Sequence, residues 1–196
     1  LIPFFKPRYK LIKKISLRNS SIKKKELKNI SEKYITFIDE GFDTGDGTLR
    51  QKNKNFLKDK ERYYLDLKIY LSSIQKIFKK KLVICLHPNN DLNFYRLVFK
   101  EFSVFKYKTD HYIKNSYLCI FHNSSAIITA LLLNKKIICI QSKLMSTFQF
   151  NRTEMFRKLF NFVNHDMNKT VNVNKKKIIR QLSISSQKNS NNMKKY

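Results

Sequence analysis

Apolar residues along this chain occur in short, continuous runs that alternate with segments of helical spacing. The first clear run, Tyr34–Ile38, is β-branched and aromatic and stops at acidic residues. Similar runs lie at Leu82–Leu86, Val104–Phe105, Tyr117–Phe121 and Ile137–Ile140. Because these runs are continuously apolar and do not alternate with polar residues, they predict the strands of a sheet that is covered on both faces.

The segments between the strands carry apolar residues at helical spacing, most clearly from Tyr64 to Phe78. The other predicted helices run from Asp91 (as N-cap) to about Phe102, from Thr109 or Asp110 to Lys114, from Ala126 to Leu133, from Glu154 to Phe162 and from Lys175 to Leu182. Strands and helices therefore alternate along the chain. This order predicts an α/β fold, a Rossmann-like doubly wound parallel sheet.

The pattern divides the chain into three parts. Residues 1–33 are Lys-rich, and we interpret them as the end of a preceding domain or a linker. Residues 34–182 carry the predicted Rossmann-like domain, and residues 183–196, rich in Ser, Asn and Lys, predict a disordered tail. The first residue is Leu and not Met, so we interpret the chain as a fragment of a longer protein.

The net charge of +27 has two interpretations. A strongly basic chain can bind nucleic acid. However, Lys greatly outnumbers Arg. In addition, Asn, Ile, Phe and Tyr are abundant, whereas Gly and Pro are scarce. This composition is typical of AT-rich codon usage. Arg is the preferred residue for bidentate base and phosphate contacts. We therefore expect no nucleic-acid partner. A basic face would still suit peripheral contact with an anionic membrane, where each nearby Lys contributes about 1 kcal/mol.

The three cysteines, Cys85, Cys119 and Cys139, all lie inside apolar runs. Their odd number and apolar context predict small buried side chains and no disulfide framework. This usage favours a reducing compartment, hence the cytoplasm. No apolar run reaches the roughly 18 residues that a membrane span needs.

Three polar motifs follow predicted strands directly. These motifs are Asp39-Glu40-Gly41, His87-Pro88 and Asn123-Ser124-Ser125. In a parallel sheet, the carboxyl ends of the strands share one edge, and ligands bind there. We therefore expect the three motifs to converge, although they are far apart in sequence.

Each motif has a structural and a functional interpretation. Asp39 and Glu40 either cap a turn or pair with a lysine, or they supply a general base. His87 either closes its strand half-buried, or it contacts a phosphate or protonates a leaving group from the rigid corner that the next proline sets. Ser124 and Ser125 either cap a helix, or they bind a phosphate where the helix N-terminus offers free N–H groups.

A metal site is not predicted. No Asp-x-Asp motif is present, and Asp43 and Asp46 flank Gly45 at a different spacing. Gly41, Gly45 and Gly47 are the only glycines, so this loop needs unusual backbone conformations or close approach. Among the other histidines, His122 either lines the pocket or only ends its strand. His111, in a short helix, and His165, in a loop, have no expected function.

The motif series Asp-Glu-Gly, His-Pro and Ser-Ser resembles the three-motif signature of bacterial sialyltransferases with the two-domain GT-B fold. Its spacing most resembles the lipooligosaccharide sialyltransferases of glycosyltransferase family 52. The resemblance covers about residues 34–141. It implies that the chain is the nucleotide-binding half of a GT-B enzyme that transfers a sialic-acid-type sugar from a CMP-activated donor to a surface glycan, either lipooligosaccharide or capsule.

The resemblance also implies residue roles. Asp39 would be the base that deprotonates the acceptor hydroxyl, and Glu40 would support it or be the base itself. His87 would act on the CMP phosphate as general acid or as stabiliser of the leaving group. The remaining nucleotide-binding residues would be Gly41, which allows close approach, together with Pro88, Asn123, Ser124 and Ser125. The implied reaction is inverting and needs neither metal nor cofactor, since the CMP-sugar donor is a substrate. The enzyme would work in the cytoplasm, at the inner face of the membrane.

Two alternatives stay open at this level. One is a GT-B transferase that uses CMP-Kdo or a UDP- or GDP-sugar. The other is a non-catalytic, basic nucleic-acid-binding module, which would bind any duplex with a steep dependence on salt.

Overall fold

The computed structural model describes residues 32–42, 59–169 and 175–193. Six strands lie in these segments: β1 Tyr34–Ile38, β2 Lys81–Cys85, β3 Ser103–Phe105, β4 Ser116–Phe121, β5 Lys136–Gln141 and β6 Val163–Asp166. The helices are α1 Lys60–Phe78, α2 Leu92–Val98, α3 Thr109–Lys114, α4 Ile127–Leu132, α5 Thr147–Phe160 and α6 Lys175–Met193.

The six described strands form one parallel sheet in the order β3-β2-β1-β4-β5-β6. The chain first builds the sheet outward from β1 to β3, then returns to place β4 on the other side of β1 and continues outward to β6. This is the strand order of a doubly wound Rossmann-like sheet, so the predicted fold class is confirmed. Ile38 pairs with both Cys85 and Phe121, which brings the ends of β1, β2 and β4 to one level.

Helices cover both faces of the sheet, as the continuous apolar strands predicted. On one face, Ile35 and Phe37 of β1 share a core with helices α1, α2 and α6. On the other, Ile38 and Phe121 pack with residues of α3, α4 and α5. Successive strand residues point to opposite faces, so five-residue strands such as β1 supply side chains to both cores.

Helix α1 begins earlier than its apolar pattern predicted. Its N-cap is Asp59, whose carboxylate accepts a hydrogen bond of 2.9 Å from the Arg62 backbone N–H. The prediction started at Tyr64 because the first turn, from Lys60, is mostly polar and shows no apolar periodicity. The helix ends where Lys79 adopts a left-handed conformation with φ of 51°.

Strand β6 was missed by the sequence analysis, which placed His165 in a loop. The strand is an edge strand in which only Val163 is buried, so its polar sequence carries no apolar signal. Pairing with β5, from Ile138↔Val163 to Gln141↔Asp166, defines it. The Nδ1 atom of His165 lies 2.8 Å from the Tyr70 hydroxyl, and burial lowers the pKa of this histidine.

Two helices differ from their predicted limits. Helix α5 begins at Thr147, because Ser146 caps it by accepting from the Gln149 backbone N–H. Helix α6 continues to Met193, through most of the segment that was expected to be a disordered tail. Its buried face extends past Leu182 to Ser185, whose hydroxyl donates to the Asn161 carbonyl at 2.7 Å.

The three cysteines are buried and unpaired, as predicted. Burial raises the pKa of Cys85 and of Cys119 to about 12, and it raises the pKa of Cys139 as well. Among the described helices, none is both long and apolar enough to cross a bilayer.

Candidate functional site

The candidate site lies at the carboxyl edge of the sheet, at the point where the strand order reverses. Strands β1 and β4 are neighbours there, and their connections leave in opposite directions along the sheet. The crevice outside such a switch point is the usual ligand site of doubly wound folds. The segment after β1 begins with Asp39, the segment after β4 begins with His122, and His87 lies beyond the end of β2 on the far side of β1.

Asp39 joins the ends of β1 and β2. Its carboxylate accepts from the backbone N–H of Gly41 at 3.3 Å and of His87 at 3.1 Å. It also accepts from the Asn90 amide and, at 3.2 Å, from the Tyr95 hydroxyl. The side chain is only 8% exposed. A carboxylate that already accepts four hydrogen bonds is suited to hold the two loops together. The role of acceptor base that the resemblance implies for Asp39 stays a prediction.

Buried tyrosines extend this network away from the sheet edge. The Tyr95 hydroxyl lies 2.9 Å from that of Tyr64 and 2.8 Å from the Asn90 amide nitrogen, which donates to it. Burial and the nearby Asp39 charge raise the pKa of Tyr95, so it remains a neutral donor. The network therefore ties the Asp39 carboxylate to Asn90 of the β2–α2 loop and to Tyr95 of α2, which in turn contacts Tyr64 of α1.

Glu40 has a different environment although it is the next residue. The Ser124 hydroxyl and the Asn123 backbone N–H face its carboxyl. Burial raises the Glu40 pKa from 4.5 to about 8; the Arg152 charge opposes this rise and the Asp39 charge adds to it. The Oε1 atom is shielded from solvent and has no hydrogen-bond partner in the described part of the chain. Glu40 is therefore a carboxyl that holds its proton at neutral pH, at the switch point itself.

Gly41 packs directly against the imidazole of His87. Its φ is +65°, and a Cβ built on it would lie 2.7 Å from Cγ of His87 and 2.9 Å from Nδ1. A side chain would thus meet both backbone strain and a collision. A close approach was expected at this glycine, and the group that approaches it is the His87 ring.

The local backbone sets the tautomer of His87. Nδ1 accepts from the Asn89 backbone N–H at 3.3 Å, so in the neutral ring the proton lies on Nε2. The ring is partly buried, and the next residue, Pro88, is exposed. His87 thus offers Nε2–H as a donor at the end of β2.

Ser124 and Ser125 lie in the turn before α4. The Ser124 hydroxyl accepts from the Ala126 backbone N–H at 3.3 Å, and Ser125 is exposed. Helix α4 spans only Ile127–Leu132, and its N-cap, Ala126, makes no side-chain cap. The helix is shorter than predicted. Because so short a helix has only a weak dipole, the groups of this turn that can bind an anion are the two serine hydroxyls.

Asn123 is oriented towards α5 and not towards the crevice. Its amide nitrogen donates to Gln149 at 2.9 Å and to Thr153 at 3.1 Å. Its Oδ1 atom is buried and has no partner among the described residues. The side chain thus docks α5 against the β4–α4 turn, and the Asn123 backbone N–H is the group that faces Glu40.

Arg152 is a site residue that the sequence analysis missed. It lies on α5, one turn after Gln149 and next to Thr153, which are the two residues that hold Asn123. Its charge acts on Glu40 more strongly than any other charge does. The predicted helix started at Glu154, so Arg152 was not placed on it. The one available signal was the presence of an arginine in a chain whose cations are mostly lysines.

His122 is a core residue. It is fully buried, its Nδ1 donates to the Ile140 carbonyl at 2.7 Å, and its Nε2 lies 2.7 Å from the Tyr63 hydroxyl, which donates to it. Burial lowers its pKa from 6.5 to about 4. Both nitrogens are thus used in packing β4 against β5 and α1.

The structure brings two pairs of motifs together, the acidic motif with His-Pro and the acidic motif with Ser-Ser. Asp43, Gly45, Asp46 and Gly47 lie outside the described residues.

Within the described ranges, no group of three or more His, Cys, Asp or Glu side chains is arranged to hold a metal ion. A cavity of about 340 Å³ lies elsewhere, between α5, β6 and α6, and none of the candidate residues lines it.

No protein-family model and no curated protein matches the chain. Among solved structures, it is similar to the glycotransferase of kitacinnamycin, with a TM-score of 0.43 and 8% identity over 84% of this chain and 39% of that one. It is also similar to the glycosyltransferase SnogD from Streptomyces nogalater, with a TM-score of 0.44 and 11% identity over 84% of this chain and 41% of that one. The chain thus spans less than half of either. At these values the similarity says nothing about a reaction, and the fold class rests on the sheet itself.

Proposed function

We propose that this chain is the nucleotide-binding half of a glycosyltransferase that uses a CMP-activated, sialic-acid-type donor. One observation carries the proposal: Glu40 faces the Ser124 hydroxyl at the switch point of a doubly wound sheet, while His87 is held at the end of the neighbouring strand. The resemblance of the three motifs to bacterial sialyltransferases supports the choice of donor. Transfer to a surface glycan without metal or cofactor follows from the same resemblance, and the cytoplasmic location follows from the cysteine usage.

In this proposal the donor phosphate binds at the turn of Ser124 and Ser125. The hydroxyl groups there donate hydrogen bonds that stabilise the negative charge which develops on the phosphate as CMP leaves. Glu40, protonated at neutral pH, donates a hydrogen bond to the departing phosphate, and Nε2–H of His87 donates from the β2 side. Asp39, the acceptor base that the resemblance implies, takes the proton of the acceptor hydroxyl, and its hydrogen bonds also position the loops that carry Glu40 and His87.

Calorimetric titration with CMP, UMP and GDP tests the donor class. We expect CMP to bind more tightly than UMP or GDP. Tighter binding of UMP or GDP would instead assign the chain to transferases of UDP- or GDP-sugars. CMP-Kdo and CMP-sialic acid share the same nucleotide, so titration of the two intact donors distinguishes between them.

The His87→Ala variant tests the site. It removes the Nε2–H donor but leaves the backbone N–H that Asp39 holds. We expect weaker CMP binding and loss of sugar transfer, with an unchanged melting temperature. His111→Ala, on the exposed surface of α3, is the matched control. Wild-type CMP affinity in the His87 variant would remove His87 from the site.

The nucleic-acid alternative is less well supported. Lysines of the described helices lie on α1 and α6, which cover one face of the sheet, and on α3 and α5, which cover the other. Such a distribution fits the compositional origin of the charge. Fluorescence anisotropy with a labelled duplex at increasing salt checks this: sequence-independent binding with a steep salt dependence, together with no CMP binding, would favour the alternative.

A further inference from the structure

Helix α5 presents an arginine to the candidate site by a defined route. Asn123, in the turn after β4, donates to Gln149 and to Thr153, which are neighbours on one side of the helix. Residues three apart on a helix lie side by side, so Arg152 emerges next to Gln149 and beside the same turn. The side chain is exposed and its charge acts on Glu40, so the charge is both close to the switch point and accessible to a ligand.

Arg152 differs from the other arginine of its helix. Arg157 forms a bidentate ion pair with Glu154 of the same helix, with both N–O distances at 2.8 Å. Arg152 makes no ion pair or hydrogen bond within the described segments, where its charge acts on Glu40. An exposed guanidinium on the helix that packs against the turn of Ser124 and Ser125 is suited to bind a phosphate there, because its planar donors match phosphate oxygens.

The carboxyl of Glu40, on which the Arg152 charge acts, also has an oxygen without a partner. Its Oε1 atom is shielded from solvent and has no hydrogen-bond partner among the described residues. Inorganic phosphate would engage Arg152 and the serines, whereas a nucleoside phosphate also brings hydroxyl and amine groups that can pair with this oxygen.

We propose that Arg152 is a binding residue for the phosphate of a nucleoside monophosphate group and that it exchanges its interaction with Glu40 for that phosphate. The inference rests on the proposed function, because it names the group that contacts the donor there. It adds a cation from α5 to the donors that the described residues offer at the ends of β2 and β4.

Phosphate binding at Arg152 also affects the proton on Glu40. In the free protein the Arg152 charge favours the Glu40 carboxylate, and a bound phosphate cancels this effect and adds its own negative charge. The other titratable groups that face Glu40 are Asp39, in its own segment, and the buried Cys139 of β5. His87 contacts the adjacent Gly41. Binding of CMP should therefore be accompanied by uptake of a proton at a pH near 8.

The first experiment compares wild type with Arg152→Ala by calorimetric titration with CMP, cytidine and inorganic phosphate at pH 7. We expect the variant to lose at least tenfold in CMP affinity and to lose measurable phosphate binding, with unchanged cytidine affinity. Lys158→Ala removes one exposed charge from the same helix and serves as the control, with wild-type affinities expected. Circular dichroism melting checks that each variant is folded.

The outcomes separate this inference from the proposed function. Equal CMP affinity in Arg152→Ala and wild type would overturn the role of Arg152 and leave the nucleotide site standing. Phosphate binding that depends on Arg152, without any CMP or cytidine binding to wild type, would support an anion site and reject the nucleotide function. A parallel loss of cytidine affinity would show a structural effect and reject the phosphate contact, and absence of binding by all three ligands would reject both.

The second experiment measures protons. Titration of CMP at pH 8 in two buffers of different ionisation enthalpy gives the number of protons bound. We expect uptake of a fraction of one proton by wild type and none by Glu40→Gln. Equal uptake in both proteins would show that Glu40 is not linked to the phosphate.

Discussion

At the scale of single residues, the adjacent acids Asp39 and Glu40 have contrasting side-chain environments. Both are carboxylic acids at the end of one strand, but successive side chains there point in different directions. Asp39 accepts from Gly41 in its own segment and from residues that follow β2, whereas Glu40 has one buried oxygen without a partner among the described residues. The environment of Glu40 stabilises a protonated acid.

The Glu40 pKa makes a prediction about stability. The group binds its proton more tightly in the folded protein, with a pKa of about 8 against 4.5. Between these two pH values the folded state holds the proton and the unfolded state has lost it, so the free energy of unfolding falls as pH rises through this window. His122 acts in the opposite direction between pH 4 and 6.5. Urea unfolding of wild type and Glu40→Gln from pH 5 to 9 isolates the Glu40 contribution, and Glu40→Gln should gain stability relative to wild type as pH rises. A stability difference between the two proteins that stays constant from pH 5 to 9 would show that Glu40 does not titrate with a raised pKa.

Gly41→Ala should damage both the fold and the site. The left-handed backbone costs an alanine about 1–2 kcal/mol, and its Cβ would press on the His87 ring. We expect a lower urea midpoint and, in the ¹H–¹⁵N spectrum, shifted imidazole resonances of His87 with those of His165 unchanged. Unshifted His87 resonances would show that the ring does not depend on this glycine.

Tyr63→Phe should destabilise the protein by about 1–3 kcal/mol, because it leaves the buried Nε2 atom of His122 without its donor. Tyr107→Phe, at a side chain that is 78% exposed, is the control and should change little. Equal unfolding free energies for the two variants would mean that the Tyr63 hydroxyl contributes nothing to the core.

At the scale of elements, α6 shows how a polar sequence can be held in a helix. Beyond Leu182 the chain has the composition of a tail, yet Ser185 and Ser186 hydrogen-bond to Asn161 and Asn134. The two acceptors belong to loops that adopt left-handed conformations after α4 and α5. The helix is thus continued by partners that are distant in sequence.

Leu182→Ala tests whether α6 is part of the core. Leu182 is 1% exposed, so its truncation should cost about 2–5 kcal/mol in urea unfolding. Ile184→Ala, on the same helix at a side chain that is 47% exposed, should cost much less. Similar small effects from both would indicate that α6 does not contribute to the folded core.

At the scale of the whole molecule, the sheet buries all three cysteines. Their raised pKa values mean that almost no thiolate exists at neutral pH. A thiol-specific reagent such as dithionitrobenzoate should label none of them in the native protein and all three in denaturant. Rapid labelling of one cysteine under native conditions would show that a strand opens locally.

The sequence by itself determined strands β1 to β5, the fold class and the edge at which the acidic motif meets the other two. Continuous apolar runs are signals of burial on two faces, and parallel strands that end in polar motifs place those motifs together. It did not indicate β6, because an edge strand with one buried residue carries no apolar pattern.

Only the tertiary structure decided the chemistry of the edge. Whether Glu40 keeps a proton depends on which donors and charges surround its carboxyl, and these include residues of α5 and of the turn after β4. The same is true of Arg152, which reaches the site because Asn123 docks α5 there. Protonation and ligand contacts depend on distances between segments that are remote in the chain, and local sequence patterns carry no information about those distances.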